Sequence, residues 1–192
     1  MKQMFRNLTI ACCIAPLMAV AQQKTADRVD QNRSGSLSRI EREARHELLL
    51  IPQYGVFDWI TFNVNGNTVT LNGDVTRPVI KNNAEKAVKD IEGVDKVENK
   101  INVLPVFSAD DGIRLAVYQA IYGNASLQRY AFQAIPSIHI IVNNGKVRLE
   151  GAVANKADAD QALIRAKTVP NTFEVTSNLK TDAQLAAQEE RR

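Results

Sequence analysis

Cysteine is nearly absent from this chain. Its two cysteines, Cys12 and Cys13, both fall in the first thirteen of 192 residues. If the N-terminal segment is removed, no thiol is left for a disulfide framework or a cysteine metal site. Histidine is almost as scarce, with His46 and His139 alone. Neither has a sequence-local carboxylate or a second histidine at ligand spacing, so a zinc centre or general base has no candidate set. Both histidines read as surface or edge residues. No apolar run reaches the length of a membrane span: Leu8 to Val20 is the longest, broken by Thr9 and Pro16, and it is too short for a stable anchor. Charge of one sign is missing as well. The chain carries 24 Lys and Arg against 21 Asp and Glu, which argues against a nucleic-acid binder, since that would need a basic patch to displace counterions. Pairs such as Glu85-Lys86 and Lys89-Asp90 read as solvated helix faces.

Catalytic signatures are missing too. The serines lack a G-x-S-x-G elbow. Asp158-Ala159-Asp160 has no glycine turn or bidentate glutamate at calcium-loop spacing, and acids in the first turn of a helix are favoured by its dipole alone. The glycine-bearing turns join strand to strand, whereas phosphate loops join strand to helix. No catalytic, cofactor-binding or metal residues are assigned.

What is present begins with an export signal. Lys2 and Arg6 give a positive start, the apolar run follows, and Ala19-Val20-Ala21 is a small-x-small cleavage site before Gln22. Cleavage after Ala21 would lower the formal charge from +3 to +1. Thr9-Ile10-Ala11-Cys12 loosely resembles a lipoprotein cleavage box, with threonine where leucine is normally wanted. That leaves lipid attachment at Cys12 as a competing expectation. Residues 22–36 are polar and read as a flexible leader.

The dominant feature is a repeat. Val64 to Val75, with Gly66 and Gly73, recurs as Val142 to Val153, with Gly145 and Gly151. The register holds without a gap from Ile60 on Ile138 to Ile101 on Leu179, at a constant shift of 78 residues. A repeat that keeps its apolar positions and turn glycines is one folded unit used twice. Units of that size are marginal alone, so the two are expected to pack together.

Within repeat one, Ser38 and Glu41 form a capping pattern ahead of a helix bearing Ile40, Ala44, Leu48 and Leu49. Ile60, Phe62 and Val64 alternate as a strand, Asn65-Gly66 makes the turn, and Val69 and Leu71 run back. After Pro78, Ile80, Ala84, Ala87, Val88 and Ile91 mark a second helix closed by Gly93. The last strand is Val97 to Leu104. Repeat two retraces this path. Its first helix carries Ile113, Val117 and Ile121, in a helical region about five residues longer than its counterpart. The hairpin spans 138–153, a helix runs from about Ala157 to Thr168, and Phe173 to Leu179 is the final strand. The expected fold class is α+β: two α-β-β-α-β units over 37–105 and 109–180, joined by a short apolar linker, with a fraying tail over 181–192.

These pieces resemble the BON domain. The resemblance lies in Val69-Thr70-Leu71-Asn72-Gly73-Asp74-Val75, in Gly93-Val94-Asp95-Lys96-Val97-Glu98-Asn99-Lys100-Ile101, and in Val147-Arg148-Leu149-Glu150-Gly151-Ala152-Val153. Repeat two departs where Pro170-Asn171-Thr172-Phe173 replaces glycine-valine and Ser177-Asn178 shifts the asparagine by one. Two such units behind an export signal are similar to the family of the osmotically inducible periplasmic protein Y. The resemblance implies a periplasmic, non-enzymatic envelope protein that associates with phospholipid surfaces or with unfolded client proteins under stress. An assembly module of a larger envelope complex is the alternative.

Aromatic side chains are the candidate contact residues. Tyr54, Phe57 and Trp59 precede the first hairpin, and Tyr130 and Phe132 precede the second. They either anchor at a headgroup boundary or fill the seam between the repeats, the latter being preferred.

Overall fold

A computed structural model of the chain describes residues 39–190. The export signal, Cys12, Cys13, the leader and the capping residue Ser38 lie outside the described residues.

Apolar spacing accounts for the helices. In helix α1 (39–49), Ile40, Ala44 and Leu48 are buried at every fourth position, the spacing that lines one helix face. Strands β1 (Trp59–Asn65) and β2 (Thr68–Val75) follow as an antiparallel hairpin. Helix α2 (Pro78–Lys89) opens on proline, which lacks only an N–H that the first turn leaves unused, and buries Ile80, Ala84 and Val88. Strand β3 (Lys96–Val103) then pairs in parallel with β2. The second unit repeats the order with α3 (Ser108–Tyr122), a short 3-10 turn at Gln128–Ala131, β4 (Ile138–Asn143), β5 (Lys146–Val153) and α4 (Lys156–Lys167). Strands β6 (Glu174–Ser177) and β7 (Lys180–Thr181) complete it, followed by α5 (Asp182–Glu189). The sheet orders are β1-β2-β3 and β4-β5-β6, with β7 also on β5. Thr68 pairs with Lys96 and Lys146 with Glu174, so the parallel register has the same offset in both units.

Two separate cores result. One gathers Ile40, Ala44, Leu48, Val69, Leu71, Ile80, Ala84, Val88 and Ile101. The other gathers Ile113, Val117, Ile121, Ile138, Ile140, Val147, Leu149, Ala162 and Ala166. Both sheets also share a close approach that only glycine allows. A Cβ at Gly73 would stand 1.9 Å from the Trp59 carbonyl oxygen, and one at Gly151 would stand 2.0 Å from that of Ser137.

The structure corrects several expectations. The first turn is made by Gly66 and Asn67, of which Gly66 alone has positive φ, whereas Asn144 and Gly145 are both positive. These are the φ patterns of type II′ and type I′ hairpins. The final strand of repeat two does not run unbroken from Phe173 to Leu179. It begins at Glu174 and is interrupted between Ser177 and Lys180. In repeat one, Asn99 holds this stretch together: its Nδ2 donates to the Lys81 carbonyl and to Glu85, and its Oδ1 accepts the Ile101 N–H at 3.1 Å. Serine stands at the equivalent position 177, and its hydroxyl meets the Leu179 N–H only at 3.5 Å. Residues 181–192 were expected to fray, yet 182–189 form a helix. Thr181 accepts the Gln184 N–H, and the Gln184 side chain accepts the Thr181 N–H, a reciprocal capping box that satisfies two otherwise unpaired donors.

Candidate functional site

Strand β4 is buried from Ile138 to Val142 with no alternation. One face of an α-covered sheet would normally be wet, so something must cover the other face. Repeat one does. The segment entering its hairpin lies along β4, and the Ile140 N–H donates to the Val56 carbonyl at 2.8 Å. Trp59 and Tyr54 pack on the His139 ring with centroids 4.8 and 5.8 Å away. Phe57 meets Tyr118 edge-on at 6.2 Å. An ion pair joins Arg148 on β5 to Asp74 on β2, and Arg148 also donates to Glu150 at 2.7 Å. Tyr54, Phe57 and Trp59 therefore lie in the seam between the repeats. His139 lies there too, only 6 % exposed, which corrects its expected surface or edge place. Alternation placed it on the open face of the sheet, and the neighbouring repeat covers that face. His46 is exposed on α1.

The buried carboxylates hold the scaffold together. Asp58 accepts the Gly55 N–H at 3.1 Å and the Thr76 N–H and hydroxyl at 2.7 and 2.9 Å, tying the hairpin entry to the end of β2. In repeat two the counterpart of Thr76 is Ala154, whose N–H donates to the Tyr130 hydroxyl at 2.9 Å. That hydroxyl donates in turn to Asp158 at 2.6 Å, and Asp158 also takes Arg129 and Asn155. Tyr130 is thus buried in the second core and is not a surface contact. Phe132 is 79 % exposed. Burial, opposed by the hydrogen bond from the Ile60 N–H, pushes the Tyr54 hydroxyl up to about 12. Tyr122, bonded to the Ile138 carbonyl at 2.6 Å, is raised further for the same reason. Among the described residues, no three metal-ligating side chains gather at one place.

The open site is in repeat two. A cavity of about 710 Å3 lies between the start of α3, the β4–β5 turn and the α4–β6 loop. Phe107, Ala109, Ile113, Ala116, Pro170 and Phe173 make its apolar wall, with Gly112, Asn144, Gly145 and Asn171 between them. Phe173 is 85 % exposed and lies over Gly145, where a Cβ would come within 2.5 Å of its ring. Phe107 is half exposed, and Val106 beside it is almost fully so. Asp110 is the one ionisable residue in the wall. It is fully buried and accepts the Asn144 and Gly145 N–H groups at 2.8 Å each, so its charge is spent on holding the turn. Arg114 nearby is bonded to the Val142 carbonyl and to Asp111. The cavity is therefore apolar with no uncommitted charge, suited to an uncharged hydrophobic guest.

Among the described residues of repeat one, a strap spans the corresponding helix and loop. When Ile40, Ala44 and Leu48 are set on Ile113, Val117 and Ile121, Arg39 falls on Gly112. The 78-residue shift sets Glu92-Gly93 on Pro170-Asn171. Arg39 donates to the Glu92 carboxylate at 2.9 Å and to its carbonyl at 3.0 Å, strapping α1 to the α2–β3 loop. Gly112 and Pro170 cannot make that strap, and the gap it would cover is the cavity. Sequence reasoning noted the Pro170–Phe173 departure as a matter of loop geometry and read Phe107 as linker. The two signals were present, but unconnected. The five glycines singled out by sequence all have positive φ, and of these Gly145 touches the cavity.

The sequence pattern of the BON domain matches residues 60–105 and 109–183. Osmotically-inducible protein Y of Escherichia coli (strain K12) is 30% identical over 125 residues, which are 64% of this chain and 61% of that protein. The chain thus spans less than two thirds of that relative's length. Two structures of CdsD, a structural protein of the type III secretion system of Chlamydia trachomatis, were also matched, each at 14% identity. One covers 80% of this chain and 98% of its own, with a TM-score of 0.27; the other, its C-terminal domain, covers 73% and 96%, with a TM-score of 0.26. At those scores the likeness says nothing about how this chain folds or acts.

Proposed function

The chain belongs to the BON-domain family, and on that footing we propose that it is a non-enzymatic, exported envelope protein whose second repeat captures hydrophobic segments of unfolded exported proteins. Its similarity to an osmotically inducible protein supports a role under osmotic stress in the periplasm. The observation that carries the reading is the neutral apolar cavity at the start of α3, with Phe107 and Phe173 standing open at its mouth. Exposed, contiguous apolar surface on a small domain marks a binding site. The single carboxylate in that wall, Asp110, is committed to two backbone N–H groups.

A second reading has its own support. Val106, Phe107 and Phe173 are exposed, and apolar side chains of that kind suit insertion at a phospholipid surface. No helix among the described residues is long and apolar enough to cross a membrane. Lys146, next to Gly145 of the cavity wall, is paired with Glu174 at 3.5 Å.

One experiment separates the two. The purified chain and a Phe107→Ser/Phe173→Ser variant are assayed for delaying aggregation of reduced α-lactalbumin, and for flotation with phosphatidylglycerol-containing liposomes. Protection by the wild type that is lost in the variant supports client capture. Flotation without protection supports the phospholipid surface. Neither activity in the wild type removes both.

A further inference from the structure

The seam between the repeats contains one titratable ring that is buried and has an unpartnered nitrogen. His139 lies on β4, sandwiched between sheet two and the Tyr54–Trp59 segment, and its Nδ1 is buried with no hydrogen-bond partner. Four charged groups and one hydroxyl surround it. Asp58, on the segment that covers β4, has its oxygens engaged by Gly55 and Thr76. Glu150, paired directly opposite His139 on β5, accepts Arg148 and Asn178. Arg148 is itself tied across to Asp74 on β2. The Tyr54 hydroxyl is used by the Ile60 N–H. None of these groups reaches the His139 Nδ1, which stays unpartnered in the closed seam.

We propose that His139 is an acid-sensitive latch: neutral, it seats Trp59 and Tyr54 and holds the repeats together; protonated, it loosens the seam. The constellation is specific to the tandem, because the ring is supplied by repeat two and its aromatic covers by repeat one.

Electrostatics runs in the same direction. Burial, the largest influence, holds the imidazole below the ordinary histidine value of 6.5. The backbone of Asp58 and Gly55 and the carboxylates of Asp58 and Glu150 pull the other way without overcoming it. A histidine released from the seam therefore binds a proton more readily than the seated one. The closed seam is fully stable above about pH 6.5 and loses stability as pH falls from there toward the lowered value. Acidification of the surroundings would be the trigger.

Trp59 is the chain's single tryptophan, so its emission reports on the seam directly. The test is a fluorescence titration of the purified chain from pH 8 to pH 5, with the hydrogen-exchange protection factor of the Ile140 amide as a second readout. We expect Trp59 emission to shift to longer wavelength and Ile140 protection to fall together below pH 6.5. His139→Gln and His139→Phe should both abolish the transition, and His46→Gln should retain it. If the phenylalanine variant does not fold, the glutamine variant decides. A flat wild-type trace down to pH 5 would overturn the proposal, as would the same transition persisting in His139→Gln.

Discussion

At the scale of single residues, the repeat is enforced by steric necessity. Gly73 and Gly151 have φ of 132° and 115° and lie against a neighbouring carbonyl at a distance no Cβ tolerates. Substituting Gly151→Ala adds a positive-φ penalty to a backbone clash, and should cost about 3 kcal/mol or more. The second unit should then melt well below the wild type in calorimetry while the first holds. Asp110 is a different kind of requirement. Both its oxygens satisfy N–H groups of the β4–β5 turn, so Asp110→Ala leaves two donors unpaired, that of Gly145 buried and that of Asn144 partly so. A loss of about 1–3 kcal/mol is expected for each, seen as lost amide protection at Asn144 and Gly145. A wild-type exchange rate at those two amides in the variant would refute this role.

At the scale of elements, the two final strands show how one side chain decides whether a strand is continuous. Asn99 ties β3 to α2 and accepts the Ile101 N–H; Ser177 is too short to do the same, and the strand breaks after it. Asn99→Ser should transfer that break to repeat one. The expected cost is about 1 kcal/mol, a drop of several degrees in melting temperature for a unit of this size, with exchange at Ile101 rising most. Helices and hairpins of this kind were legible from sequence because their apolar spacing is local: Ile80, Ala84 and Val88 announce α2 without reference to anything distant. His139 was not. Its side of the strand followed from alternation, but its burial depends on repeat one lying across β4, which no local pattern encodes. The helix over 182–189 was misjudged for a different reason, since its signal is local. Thr181 and Gln184 form a capping box, yet the charged end of that stretch masked it.

At the scale of the whole molecule, the two repeats differ at one place. Arg39 straps α1 to the α2–β3 loop in repeat one, and repeat two has a cavity where Gly112 and Pro170 stand instead. The skeleton common to both was plain in the sequence. The difference that matters for binding was hidden, because the two first helices align at a shift of 73 and the remainder at 78. Only coordinates put Gly112 opposite Arg39. If the missing strap is what makes the cavity, restoring it should close the site without disturbing the fold. The double variant Gly112→Arg/Pro170→Glu should keep the wild-type far-ultraviolet circular dichroism and seam fluorescence, yet bind a hydrophobic dye such as bis-ANS at least about tenfold more weakly, equivalent to about 1.4 kcal/mol. The reciprocal change, Arg39→Gly, removes the strap between α1 and the α2–β3 loop and should raise dye binding above the wild type. Unchanged dye affinity in the double variant would mean that the guest sits elsewhere. A rise in the reciprocal variant together with a loss in the double variant would show that one side chain per repeat sets whether this module presents a binding site or only a scaffold.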